Sequence, residues 1–197
     1  MPQDDAEAVK WYKLAADQGL ADAQYNLGYM YDEGKGVPQD DAEAVKWYRL
    51  SAEQGDAHAE YNLGITYLSG KGVPQDNAEG IRWLRLAANQ GLAEAQYNLG
   101  VIYAEGRGVP QDTTEAAKWY KLAADQGVAE AQYNLGLMYS RGEGVPQDDA
   151  EAARWYKLAA NQGLALAQHN LGVIFAEGRA VPQDNAEAVR WYRLAAD

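Results

Sequence analysis

The sequence predicts an all-α solenoid of 36-residue helical hairpins, about eleven helices in all. Three observations predict it. Pro2, Pro38, Pro74, Pro110, Pro146 and Pro182 are spaced by 36 residues without an insertion. Trp11, Trp47, Trp83, Trp119, Trp155 and Trp191 keep the same step. Each period also holds two runs with helical apolar spacing, separated by glycine-bearing punctuation.

In the period around Ala42–Asp76, the first run opens with Asp40-x-x-Glu43, a capping-box pattern in which each partner satisfies an orphan amide of the first turn. Asp4/Glu7, Asp76/Glu79, Asp112/Glu115, Asp148/Glu151 and Asp184/Glu187 repeat the pattern, and a proline two residues earlier keeps the loop from joining the helix. The run stops at Gln54-Gly55, where glycine can take the left-handed conformation. The second run extends from about Ala57 to Ser69 and ends before Gly70-Lys71-Gly72. The chain therefore reads as one repeat domain over 1–197: an orphan helix at 1–19, then second-type plus first-type pairs at 20–55, 56–91, 92–127, 128–163 and 164–197.

Ala44, Val45, Trp47, Tyr48, Leu50 and Ala52 cover most of the first helix, leaving Glu43, Lys46, Arg49 and Glu53 as a polar stripe. A helix apolar over so wide an arc needs several packing neighbours, which stacked repeats supply. On the second helix Ala59, Leu63 and Tyr67 recur at a spacing of four, and Gly64 lets another backbone approach.

The motif A-x-x-W-Y-x-x-A-A-x-Q-G, followed by A-x-A-Q-Y-N-L-G-x-x-Y-x-x-G-x-G-V-P-Q-D, resembles the Sel-one-like repeat (SLR) family of the tetratricopeptide-like superfamily. Leu27-Gly28-x-x-Tyr31 is similar to the Leu-Gly-x-x-Tyr signature of the tetratricopeptide inner helix. The resemblance covers the whole chain. It implies a right-handed superhelix and a non-catalytic adaptor or scaffold, as in bacterial signalling, host interaction and envelope assembly. The family's cysteine-rich branch is a poor match, because this chain has no cysteine. Ala180 in place of the second loop glycine, His169 in place of tyrosine and Phe175 in place of another tyrosine make the fifth pair the most divergent.

Composition narrows the function classes. Without cysteine there are no disulfides, thiolate metal sites or thiol nucleophiles, so stability must come from packing. There is no apolar stretch of membrane-spanning length, and Met1-Pro2-Gln3-Asp4-Asp5 has no export-signal pattern. Met1 stands where other repeats carry Val37 or Val73, which suggests a chain cut at a repeat boundary. The compartment stays open, periplasmic or secreted if such a cut removed a signal. A formal charge of −12 disfavours nucleic acid and anionic lipid.

If the second-type helices line the concave face, as the resemblance implies, the variable positions beside the Leu-Gly signature are the candidate partner-binding residues. They are Asp22, Tyr25, Tyr29 and Asp32; His58, Tyr61, Ile65 and Leu68; Glu94, Tyr97, Val101 and Ala104; Glu130, Tyr133, Leu137 and Ser140; and Leu166, His169, Val173 and Ala176. This mixture suits an extended or helical peptide with apolar anchors. Asn26, Asn62, Asn98, Asn134 and Asn170 form a ladder of amides that either clamps a peptide backbone or ties each helix to a neighbouring backbone group; the second reading is the stronger. The recurring tyrosines read more readily as inter-repeat packing than as stacking platforms, and the tryptophans more so. Twelve of the 17 basic residues lie in pairs three apart on first-type helices, from Lys10/Lys13 to Arg190/Arg193. An acidic residue three positions before each pair makes a solvated, locally paired face a better reading than a polyanion site.

Nothing in the sequence suggests catalysis, a cofactor or a metal. The only histidines, His58 and His169, are 111 positions apart, no serine sits in a nucleophile elbow, and Gly34-Lys35-Gly36 lacks the P-loop pattern. The resulting expectation is a scaffold for a protein or peptide partner. The runner-up is a consensus-like or designed array with no natural ligand. Asp197 stops short of the Gln-Gly terminator and neither terminal helix has a polar outer face, so end-to-end self-association is also expected.

Overall fold

The computed structural model describes residues 2–196, with side chains from Asp4 onward. Eleven helices and no strand occur among the described residues: α1 (Pro2–Asp17), α2 (Ala21–Glu33), α3 (Asp41–Ala52), α4 (Ala57–Ser69), α5 (Asn77–Asn89), α6 (Ala93–Glu105), α7 (Thr113–Asp125), α8 (Ala129–Arg141), α9 (Asp149–Asn161), α10 (Ala165–Glu177) and α11 (Asn185–Ala196). The odd-numbered helices carry tryptophan and the even-numbered ones carry the Leu-Gly signature. The fold is thus the all-α tandem-hairpin class that the 36-residue period predicts. Packing divides the chain into two compact units, one up to Ala95 and one from Gln96 onward.

Helix starts are written as expected in one half and differently in the other. The Asp40 carboxylate accepts from the amides of Ala42 and Glu43 at 3.1 and 3.0 Å, and Asp76 accepts from Glu79 at 3.0 Å. Asp112, Asp148 and Asp184 cap their helices in the same way. The reciprocal arm of the capping box is not formed. The Asp40 amide donates instead to Tyr31 O at 3.0 Å, and the Asp76 amide to Tyr67 O at 2.9 Å, so each cap is stitched to the preceding helix. That frees the glutamates to pair with the basic residue three positions on, as in Lys46–Glu43 and Arg82–Glu79. Asp4 departs further, because α1 already begins at Pro2 and Asp4 lies within its first turn, where proline is tolerated ahead of it.

In the first unit, Trp47 of α3 seats among Val9 and Ala16 of α1 and Ala23, Leu27 and Met30 of α2. Trp83 of α5 packs in the same way against the Ala44, Val45, Tyr48, Ala52, Ala59 and Leu63 cluster of α3 and α4. In the second unit, Trp191 of α11 completes the core of α9 and α10. Each ring thus fills the groove of the hairpin before it. The indole N–H groups of Trp47, Trp119, Trp155 and Trp191 are buried without an acceptor among the described residues, a cost of roughly 1–3 kcal/mol each that ring burial offsets. The wide apolar arc needs one correction: Leu50 and its equivalents Leu14, Leu86, Leu122, Leu158 and Leu194 face solvent. At the signature glycine a neighbouring helix comes close. A Cβ at Gly64 would come within 3.0 Å of Gly80 O and 2.9 Å of Leu84.

Side chains bond neighbouring repeats as well. Gln24 donates to Ala16 O at 3.2 Å, Gln54 donates to Gln24 Oε1 at 2.7 Å, and Ser51 donates to Ala21 O at 2.9 Å. Gln132 and Gln162 repeat the first two contacts in the second unit. In the second repeat the buried glutamine is replaced by Glu60, which accepts from Gln90 at 2.8 Å.

Candidate functional site

The candidate binding residues lie on one side of the second-type helices. Asp22, Tyr29, His58, Glu94, Glu130, Leu166 and His169 are exposed, while Tyr25, Asn26, Tyr61, Asn62, Ile65, Tyr97, Asn98, Val101, Tyr133, Asn134, Leu137, Asn170 and Val173 are half-buried. A half-buried row of this kind is fixed by packing from below and accessible from above.

In the first unit, the Tyr25 ring lies 6.0 Å from the Tyr48 ring and 5.9 Å from the His58 ring, in tilted geometry. Hydrogen bonds link Asn62 to the hydroxyls of both Tyr25 and Tyr48. Tyr48 also donates to Asp32 Oδ2 at 3.3 Å, and Lys71, from the next loop, bridges Asp32 and Asp41. Burial first, and then the Asp32 charge, push the Tyr48 hydroxyl well above the usual phenol range. Burial raises Tyr25 too, against the Asn62 hydrogen bond.

The second unit repeats the cluster. Tyr97–Tyr120, Tyr133–Tyr156 and His169–Tyr192 are ring pairs at 6.0, 5.9 and 5.5 Å. Asn134 bonds to the hydroxyls of Tyr97 and Tyr120, and Asn170 to that of Tyr156. Burial dominates the upward shifts of Tyr97, Tyr120 and Tyr156. Arg179 reaches back to Asp149 at 2.6 Å and Ser140 Oγ at 3.3 Å, as Lys71 does in the first unit.

Two expectations change on this geometry. The rungs Asn62, Asn134 and Asn170 interact with tyrosine hydroxyls of the preceding repeat, partners that the ladder reading did not include. Asp32 and Ser140, read as variable groove positions, are anchor points for the next loop's cation. Sequence reasoning missed Tyr48, Tyr120, Tyr156 and Tyr192 as members of the cluster. Their signal was present: a tyrosine follows the tryptophan in five of six repeats, the exception being Leu84. The basic pairs behave as expected where their first members are concerned, with Lys118–Glu115, Arg154–Glu151 and Arg190–Glu187 at 2.9, 3.0 and 3.1 Å. No group of histidine or carboxylate side chains able to hold a metal occurs among the described residues. No helix there is long and apolar enough to cross a membrane.

Tandem helical hairpins bearing a rigid aromatic and amide row define a repeat protein of the tetratricopeptide-like class. The Sel1 repeat model matches residues 1–20, 21–56, 57–92, 93–128, 129–164 and 165–197, and the chain belongs to that family, which is generally used for protein–protein interaction. It is similar to a protective antigen of uropathogenic Escherichia coli displaying an SLR fold, with 41% identity, a TM-score of 0.96 and coverage of 97% of this chain and 41% of that one. The chain thus spans less than half the length of that antigen. A Sel1 repeat protein from Oxalobacter formigenes is 41% identical with a TM-score of 0.80, covering 89% of this chain and 72% of that one. An immunity protein from Pseudomonas aeruginosa is 25% identical with a TM-score of 0.55, covering 96% and 73%.

Proposed function

We propose that the chain is a non-catalytic scaffold that binds a protein or peptide along the accessible face of its second-type helices. The observation that carries this reading is the contrast within that face. Asn62, Tyr25, Tyr48 and their equivalents are locked between repeats, whereas the residues standing above them differ from repeat to repeat: Asp22, His58, Glu94, Glu130 and Leu166 occupy one position, and Tyr29, Ile65, Val101, Leu137 and Val173 another. A rigid frame with variable outward side chains loses little entropy on binding and discriminates between partners.

The test is affinity capture from a bacterial lysate, identification of the bound polypeptide, and titration of that polypeptide against variants. Tyr29→Ala and Leu166→Asp alter exposed positions and should leave thermal stability within about 0.5 kcal/mol. Either one at an anchor position should weaken binding about tenfold or more, equivalent to about 1.4 kcal/mol. Unchanged affinity in both, together with loss of binding in Lys118→Ala/Lys121→Ala, would move the interaction to the first-type helices and overturn the proposal.

A further inference from the structure

Two hairpins that share one polar frame differ in what fills it. In the first unit the Asp32 carboxylate, near the end of α2, accepts from the Tyr48 hydroxyl at 3.3 Å and pairs with Lys71, which also reaches Asp41 at 3.2 Å. Three repeats on, Tyr156 stands for Tyr48, Arg179 for Lys71 and Asp149 for Asp41. The central carboxylate is not repeated, because Ser140 stands for Asp32, and Arg141 stands for Glu33 beside it. Ser140 meets both donors with one hydroxyl, Arg179 Nη2 at 3.3 Å and the Tyr156 hydroxyl. A cleft of about 220 Å³ opens there, with Ser140, Arg141, Tyr156, Asn170 and Arg179 among its walls.

The charges around the cleft decide which group suits it. Asp149 takes one edge of the Arg179 guanidinium, at 2.6 and 3.3 Å. Two further carboxylates stand on the exposed rim, Glu177 at 3.6 Å from Arg179 and Glu143 at 3.9 Å from Arg141, and exposed pairs of that length are weak. A guanidinium carries five N–H donors, so both arginines keep donors to spare. The net charge of −12 is spread over the whole chain and screened within roughly 8 Å at physiological salt, so the near groups dominate. We infer that this cleft of the second unit is a carboxylate subsite, in which an aspartate or glutamate side chain of a bound polypeptide takes the place that Asp32 fills in the first unit. The incoming carboxylate accepts from Arg179 and the Tyr156 hydroxyl, as Asp32 accepts from Lys71 and Tyr48, and Arg141 adds a donor from the rim. Asp32 enters its frame on a single methylene, which suits a side-chain carboxylate better than a chain end, whose carbon also bears an amide and a side chain. The inference rests on the scaffold reading, because Ser140, Asn170 and Val173 belong to the face proposed there, and it names an acidic anchor that the partner carries.

Titrating the full chain with N-acetyl-aspartate N-methylamide, followed by NMR, tests the subsite without any partner. A ligand of this size reaches a dissociation constant on the order of 1 mM. Saturable shifts are expected at Ser140, Arg141 and the Arg179 side chain. The asparagine analogue, and N-acetylalanine with its chain-end carboxylate, should bind about tenfold or more weakly. Ser140→Asp supplies the carboxylate from within the chain, so it should lose the probe by about tenfold or more while melting no lower than the wild type at neutral pH, an outcome that misfolding would not give. Arg141→Glu should weaken binding to a similar degree, whereas Lys118→Glu, the same charge change on the exposed side of α7, should not. Absence of a saturable shift, equal binding of either analogue, full binding by Ser140→Asp, or equal losses in Arg141→Glu and Lys118→Glu would each overturn the inference. The scaffold reading fails separately: a probe that binds where no polypeptide can be captured keeps the subsite and removes the scaffold, and a captured polypeptide beside an inert probe does the reverse.

Discussion

Glu60 is where a single residue sets a pH dependence. It is 4% exposed and occupies the position held in other repeats by Gln24, Gln96, Gln132 and Gln168. Gln24 and Gln132 use that place to donate to Ala16 O and Ala124 O, at 3.2 and 3.1 Å. An ionised Glu60 has no proton to give. Burial raises its pKa, the Gln90 hydrogen bond opposes the rise, and the Asp56 charge adds to it. The folded value therefore lies above the unfolded one, so its favourable contribution is complete below the unfolded carboxylate range and is lost as pH rises through the folded value. Glu60→Gln should stabilise the protein by about 1 kcal/mol at neutral pH. Thermal melts between neutral and acid pH check it: the gain should shrink to nothing as the wild-type carboxyl protonates, and a pH-independent gain would contradict the account.

At the scale of the element, the loop after each second-type helix depends on a backbone that side chains resist. Gly72 has φ +74, and a Cβ there would lie 2.3 Å from Asp41 O. Ala180 occupies the same loop position with φ 59, the one non-glycine residue at positive φ among the described residues. Its capping partner Asp184 still holds the next helix, donating from its amide to Phe175 O at 2.9 Å. The divergent fifth loop thus keeps the geometry of the others and carries left-handed strain of roughly 1–2 kcal/mol. Ala180→Gly should raise the unfolding free energy by about 1 kcal/mol, measured by urea titration at constant m-value. The helices themselves were legible in the sequence because their signals are local: aspartate caps, glycine stops and a fixed period. The failed half of the capping box was not, because the acceptor that takes the Asp40 amide, Tyr31 O, belongs to another helix.

For the whole molecule, charge balance decides more than individual ion pairs. The Glu–Lys and Glu–Arg pairs on first-type helices are exposed, each worth about 0.2–0.5 kcal/mol. Against them stands a net charge of −12, whose self-repulsion is screened by salt. Raising ionic strength from low to physiological values with sodium chloride should therefore raise the melting temperature. A fall would mean that the pairs outweigh the repulsion.

The residues alone determined that this chain forms hairpins, where each helix after the first begins and ends, and which family it joins, because a period of 36 residues records the same local instructions six times. Tertiary structure decided what the repeated side chains do. Asn62 meets Tyr25 and Tyr48, Lys71 meets Asp32 and Asp41, and Trp47 and Trp11 differ in exposure despite sharing a motif. Those outcomes depend on which neighbour lies across a repeat boundary, and a side chain's own sequence position carries no record of the distance to it.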